Sequence, residues 1–268
     1  MSNKIRQDEL RERFNPDGSL LRRQQMRMLE ILLEVDRICK KHNIQYWLSS
    51  GTLIGAVRHK GFIPWDDDLD IEMLWPDYQR LMKVLPEELP PTMALQHTST
   101  DKNYFFFYAK VRDRRSHLEE SNRYDRVWKE QGIYIDIFPF YRQPLWIHLL
   151  SEKAQGHVYK IMNRMGDDNR ELWKVRFITR FNEKLLFPVL RQICRLSTSR
   201  ETYGLGIPYH DPRHLEDTLP LTEAEFEGHM LPVPKDCHKA LTLKYGDYMR
   251  LPDIDTINLH VGKLEIYN

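Results

Sequence analysis

SSGTLIGAVRHKGFIPWDDDLDIE, from Ser49 to Glu72, sets a Ser-Gly-Thr turn and a short helix bearing Arg58 ahead of four aspartates, Asp66, Asp67, Asp68 and Asp70, placed where a strand begins. Carboxylates at that density repel one another and cost free energy unless a cation or hydrogen-bond donors offset them; a divalent metal is the commonest such partner. The spacing calls for Mg²⁺ or Mn²⁺. If Leu69, Ile71 and Met73 enter a core with the period of a strand, then Asp68, Asp70 and Glu72 share the opposite face. Such an Asp-x-Asp pair gives hard oxygen ligands that leave coordination positions open for phosphate oxygens, and two such metals can hold both oxygens of a phosphoryl displacement. A surface acidic cluster is the plainer reading of the aspartates alone; the Gly51-Thr52 turn and Arg58 beside them favour a site.

Upstream, Met28, Ile31, Leu32, Val35, Ile38 and Cys39 recur at three- and four-residue steps, which predicts an amphipathic helix from Leu20 to His42. Ile44–Leu48 reads as a strand delivering the turn, whose backbone N–H groups can face an anion. Downstream, Trp75-Pro76 opens a helix to Leu85, and Pro86, Pro90 and Pro91 mark a loop. Runs at Met93–His97, Phe105–Arg112 and Ile133–Phe138 complete a mixed sheet of about five strands. Asp136 alternates with Ile135 and Ile137 in a strand otherwise fit for burial, where an unpaired carboxylate is expensive; a metal, an arginine or backbone caps would each satisfy it. Lys110 and Arg112 share one side of their strand, suited to a diphosphate or equally to salt bridges with Asp113 or Glu119.

Residues 145–200 interleave apolar side chains with Lys and Arg and read as two or three basic amphipathic helices, broken near Gly166-Asp167-Asp168 and Pro188. Packing on the core is the simpler use of such helices; contact with anionic lipid or a lipid-linked glycan is the sharper one. Pro208–Pro234 reads as loop with a short helix from Thr222-Glu223. His210, His214, His229 and His238 have no zinc-ligand spacing and no suitable cysteine nearby.

A chain of 268 residues can bury a full core without disulfides, and three scattered cysteines suit a reducing compartment. The charged N-terminus shows no signal peptide and no apolar run spans a membrane, so a cytoplasmic protein is expected. A formal net charge of +1 does not suggest a nucleic-acid binder.

Gly51-Thr52 with Asp68-Leu69-Asp70 resembles the Gly-Ser plus Asp-x-Asp signature of the nucleotidyltransferase superfold. The fuller string, with Gly55, Arg58 and Pro64-Trp65-Asp66, is similar to the LicD family of phosphorylcholine and related phospho-alcohol transferases, which includes fukutin-related proteins. Lys110-Val111-Arg112-Asp113, Ile135 to Pro139, Tyr245 to Tyr248 and Leu251-Pro252 resemble later family blocks in the same order, so the resemblance covers about residues 26–140 and 234–260. It implies an α+β fold: a nucleotidyltransferase-like core over 20–140, a helical insertion over 145–200, and a loop-and-helix region over 201–268 completing the same domain. It implies metal-dependent transfer of a phospho-alcohol from a cytidine-diphosphate alcohol to a sugar hydroxyl of a cell-surface glycan, the acceptor lipid-linked and met at the inner face of the membrane. Asp68, Asp70 and Asp136 would hold the metal and carry catalysis. Ser50, Gly51, Thr52, Gly55, Arg58, Lys110 and Arg112 would bind substrate. Thr52 stands for the family's more usual serine and keeps the hydroxyl; Phe140-Tyr141 replaces Leu-Asp and loses an acid. Nucleotide transfer to a small molecule or RNA, and a silent nucleotide-binding scaffold, are the other two readings.

Overall fold

The computed structural model describes residues 7–120, 122–209, 211–257 and 263–267. Of the residues singled out above, His210 and positions 258–260 of the second matching block lie outside them.

Helices α1 (Gln7–Phe14) and α2 (Leu20–Lys41) lead into β1 (Trp47–Leu48), then α3 (Ser50–Ile54) and a π-turn over Gly55–His59. Ser19 caps α2 by accepting the Arg22 N–H, and the helix spans almost the expected stretch because its apolar positions keep one face buried to Cys39. Next come β2 (Asp70–Leu74), α4 (Trp75–Glu88), β3 (Met93–Gln96), β4 (Ala109–Asp113), β5 (Ser116–Leu118) and β6 (Tyr134–Arg142). The helical segment follows as α5 (Leu145–Met165), α6 (Leu172–Phe181), a second π-turn (Asn182–Leu186) and α7 (Phe187–Arg195). The chain then forms β7 (Glu201–Tyr203), β8 (Arg213–His214), α8 (Leu215–Thr218), β9 (Thr222–Phe226), β10 (His229–Val233), α9 (Cys237–Tyr245) and β11 (Leu264–Ile266).

The main sheet runs β1-β2-β6-β4-β3, with β7 and β8 added to the far end of β6. Only β2 and β6 are parallel in it; the other pairings are antiparallel. Leu69, Ile71, Met73, Val111, Ile135 and Ile137 are all fully buried on one face, in one core with Met28, Ile31, Leu32 and Val35 of α2 and Leu81 and Leu85 of α4. On the other face, Phe138 and Phe140 join Tyr104, Phe106, Tyr108 and Trp128 in an aromatic core that α5 and α6 close with Val158, Met162 and Val175. The helical segment therefore packs on the sheet's polar face, beside the acids.

Four local expectations are corrected. Pro86 sits inside α4 rather than after it. The strand expected from Phe105 starts only at Ala109, because Phe105–Tyr108 fill the aromatic core instead of pairing. Pro188 lies in the first turn of α7 and breaks nothing; the irregularity is the π-turn before it. Thr222-Glu223 opens a hairpin strand, not a helix: Phe226 pairs with His229 across Glu227-Gly228, both at positive φ (48° and 79°), as a two-residue type I′ connection requires.

Candidate active site

Register places the charged groups. Asp70 on β2 is paired with Asp136 on β6, and Asp136 with Lys110 on β4, so the three form one row across three neighbouring strands and share the polar face. Lys110 Nζ donates to Asp136 Oδ1 at 2.7 Å and lies 3.3 Å from the centroid of the Tyr134 ring. Asp68, two residues before Asp70, stands exposed at the edge of the row.

Turn and strand are stitched together at the backbone. Ser49 N–H donates to Asp70 O at 3.1 Å, and Asp70 N–H donates to Thr52 Oγ1 at 2.9 Å. Thr52 is buried, so its hydroxyl fixes the start of β2 against the turn. Ser50 adopts φ 51°, in the left-handed region, as α3 begins. Gly51 is glycine for a visible reason: a Cβ there would fall 2.7 Å from Asp66 Oδ2. At Gly55 a Cβ would collide with the carbonyl of Gly61, so both glycines let the acidic loop fold back over the π-turn.

That loop is held from below by two side chains absent from the expected site. Gln25 Nε2 donates to Asp66 O at 2.9 Å, and Gln24 Nε2 to Asp67 O at 2.8 Å. Both are buried. Their signal was present: they occupy positions in the Leu21–Met28 stretch of α2 where the helical period calls for apolar residues. Arg58 donates from Nη1 to Tyr248 O at 2.6 Å, tying the first matching block to the last, and its charge opposes the rise of the Asp66 pKa.

The acids pay for their neighbours electrostatically. Burial and then the charges of Asp68 and Asp136 push the Asp70 carboxyl well up. Asp66 is pushed up by burial and by Asp68 and Asp67, and its carboxyl hydrogen-bonds that of Asp68. Asp68, although exposed at the surface, has enough protein around it for desolvation, then Asp67 and Asp136, to raise it to about 6. Burial also raises Asp136, against the pull of Lys110. Glu72 differs: burial would raise it, but Arg213, bidentate with a shortest contact of 2.6 Å, outweighs that and holds it low. The donor set is thus hard carboxylate oxygen under mutual repulsion, chemically fit for Mg²⁺ or Mn²⁺. Among the described residues, no three His, Cys, Asp or Glu side chains already converge as metal ligands; Asp136 is turned to Lys110.

Arg112 does not join Lys110 at the row. It is fully buried, with Nε on Gln96 Oε1, Nη1 on Gly132 O and Nη2 on Glu120 at 2.7, 2.8 and 2.5 Å. Two residues along the strand carry it under Trp128 and Tyr134. Lys110, expected as an accessible cation, is only 2% exposed.

A further cation occupies the open side instead. Lys244, near the end of α9, donates from Nζ to Ser50 Oγ at 3.0 Å and opposes the rise of the Asp70 pKa. Tyr209 and Tyr245 flank it, with ring centroids 5.8 and 5.3 Å from Nζ, and both are partly exposed. The acids push these phenols up: burial leads, and Asp70 contributes to each. No spacing in the sequence links Lys244 to Ser50.

A family model described as "LicD/FKTN/FKRP, nucleotidyltransferase domain" matches residues 43–193. The lipopolysaccharide cholinephosphotransferase LicD of Haemophilus influenzae is 28% identical over 254 residues, 87% of this chain and 92% of that protein. An uncharacterized protein of Rickettsia typhi is 40% identical over 144 residues, 54% of this chain and 45% of its own length. Another, from Rickettsia prowazekii, is 45% identical over 60 residues, 22% and 23% of the two chains.

Proposed function

The chain belongs to the LicD family, and from that premise we propose that it transfers a phospho-alcohol, of the phosphorylcholine type, from a cytidine-diphosphate alcohol to a hydroxyl of a surface-glycan precursor. The observation that carries the reading is the row Lys110–Asp136–Asp70 with Asp68 at its edge, set against the Ser50–Thr52 turn. The likeness to a lipopolysaccharide cholinephosphotransferase over most of both chains supports the glycan acceptor.

Asp68 and Asp70, with Asp136 able to join them by rotating from Lys110, would hold a divalent cation whose charge offsets that of the donor diphosphate. The turn and Lys244 bind the donor's phosphates from the other side: Ser50 Oγ and the ammonium are already in contact and both can donate. The acceptor hydroxyl attacks the phosphorus bearing the alcohol and cytidine monophosphate leaves. Where Asp136 stays on Lys110 instead of turning to the cation, its carboxylate, oriented by that ammonium, takes the hydroxyl's proton. Arg58 braces the turn against the C-terminal segment. No covalent enzyme intermediate is required.

Aromatic rings near the site that could cage a quaternary ammonium differ in placement. Trp47 is buried on Glu72, Trp65 packs on Phe14, Tyr104 and Trp128 belong to the aromatic core, and Tyr134 lies under Lys110. Tyr209 and Tyr245, beside the acids and open to solvent, are the rings a choline headgroup would meet. A panel of cytidine-diphosphate alcohols scored for Mg²⁺-dependent release of cytidine monophosphate tests the reading. Release of pyrophosphate from a nucleoside triphosphate would favour nucleotide transfer instead, and no turnover would favour a silent scaffold.

A further inference from the structure

α6, the π-turn and α7 form one uninterrupted rod from Leu172 to Arg195. Its inner face is ordinary, with Leu172, Val175, Phe187 and Leu190 buried in the cores. Its outer face is not. Trp173, Phe177, Phe181, Leu185, Val189 and Ile193 recur at every fourth residue and are all exposed, Trp173 by 62% and Phe177 by 66%. On a 3.6-residue helix a four-residue step drifts about 40°, so five steps would wind the row about 200° around the rod. The wide turn at Asn182–Leu186 absorbs one extra residue, about 100° of rotation, and halves that drift. The π-turn thus keeps the apolar row on one side. Eleven of the twenty large hydrophobic side chains exposed among the described residues lie between Leu145 and Leu196, a concentration that marks an interaction surface.

We propose that this face docks on an anionic lipid bilayer. Charge selects that occupant. Between Arg164 and Arg200 stand nine Lys and Arg against four Asp and Glu, and the four acids are already engaged with basic side chains. Arg180 and Arg195 pair with no carboxylate among the described residues; Arg195 reaches Gln192. A second copy seated on this face would set one basic rim against another, a repulsive arrangement. An anionic bilayer meets the rim with opposite charge while its acyl boundary takes the apolar row. Beside the row, Arg191 and Arg195 of α7 and Arg142 line an open cavity of about 810 Å³, with room for lipid headgroups. The docking itself is independent of the donor chemistry; only its consequence, access to a lipid-borne acceptor, rests on the proposed transfer.

Flotation of the full chain with vesicles tests it, and reads no turnover, so its failure is separable from that of the transferase reading. Vesicles of phosphatidylcholine with roughly one-third phosphatidylglycerol should bind at least ~10-fold more protein than pure phosphatidylcholine, and added salt should weaken the binding. The pair Phe177→Ser/Leu185→Ser should lose ~10-fold in binding, with Trp173→Ser/Val189→Ser as a second pair should the first fold poorly. Arg180→Glu/Arg195→Glu should erase the preference for anionic vesicles. Equal flotation of wild type and both serine pairs, or none with anionic vesicles, overturns the proposal. So does a wild-type dimer in sedimentation that the serine pairs dissociate, which would give the face to a second copy.

Discussion

On the sheet's polar face, Asp70 and Asp136 hold carboxylates side by side under partial cover, where burial raises both and the charge of Asp136 adds to the rise of Asp70. On the outer face of the α6–α7 rod, Phe177 and Leu185 hold apolar side chains in water. Both arrangements are unfavourable for an isolated chain, one through repulsion in a poorly solvated place, the other through apolar hydration. They differ in how the fold treats them. Thr52, Gln24 and Gln25 hold the backbone that carries the acids, and Lys110 holds the Asp136 carboxylate, so the frame of the row is set before any ligand arrives. The apolar row stands exposed on its own helices. Preorganised charge suits a reaction; an exposed apolar face suits a surface.

The sharpest way to break this contrast is at the acids. Asp70→Asn or Asp68→Asn should lower Mg²⁺-dependent turnover by about 10³-fold or more, while melting of the metal-free protein stays level or rises, since a repelled carboxylate is gone. Near wild-type turnover in either variant would mean the row is only architecture. Lys110→Met should act on stability as well, by about 2–3 kcal/mol, because it removes the ammonium paired with the mostly buried Asp136 carboxylate. Denaturant melts of Lys110→Met/Asp136→Asn should recover most of that loss; if the double variant is no more stable than the single, the pair is not what Lys110 serves.

Smaller effects separate the two regions further. Lys244→Met should raise the donor's KM or lower kcat/KM by about 10-fold with little change in melting temperature, since its contacts are to Ser50 and, at 3.6 Å, Asp211. The metal-free Asp68→Asn protein should melt above wild type at pH 7.5, and the gap of ~1–2 °C should close toward pH 5. The sign follows from Asp68's raised value of about 6: in wild type this group's favourable contribution is complete below the unfolded-chain value and is lost as pH rises through 6. A gap that widened on acidification would contradict the assignment. Phe177→Ser should leave turnover with a soluble acceptor within about twofold of wild type, the smallest effect of all.

How much of this was legible in the sequence depends on the distance between partners. The period of α2, the alternation around Asp70 and that around Asp136 are local patterns, and they gave the helix and the two acid-bearing strands. The parallel pairing that puts Asp70 opposite Asp136 links residues far apart along the chain, and there family resemblance served where periodicity could not. Arg112 was misplaced because a two-residue period fixes the face but not the depth: Lys110 reaches the row, and Arg112 is drawn under Trp128. Lys244 lies almost two hundred residues from Ser50, and nothing short of α9's docking brings them together. The hairpin at Thr222 was hidden because its strands alternate weakly, with Glu223, Glu225 and His229 in water.

The central claim, that the acid row is built for a divalent cation, is tested most directly by thermal melting with and without saturating Mg²⁺ in wild type and Asp70→Asn. A ligand at about a hundred times its Kd stabilises by about 2.7 kcal/mol, which for a chain of this size is ~5–10 °C. Wild type should show that shift and Asp70→Asn should lose it; equal melting of wild type with Mg²⁺, with Mn²⁺ and with neither would contradict a cation site on the row.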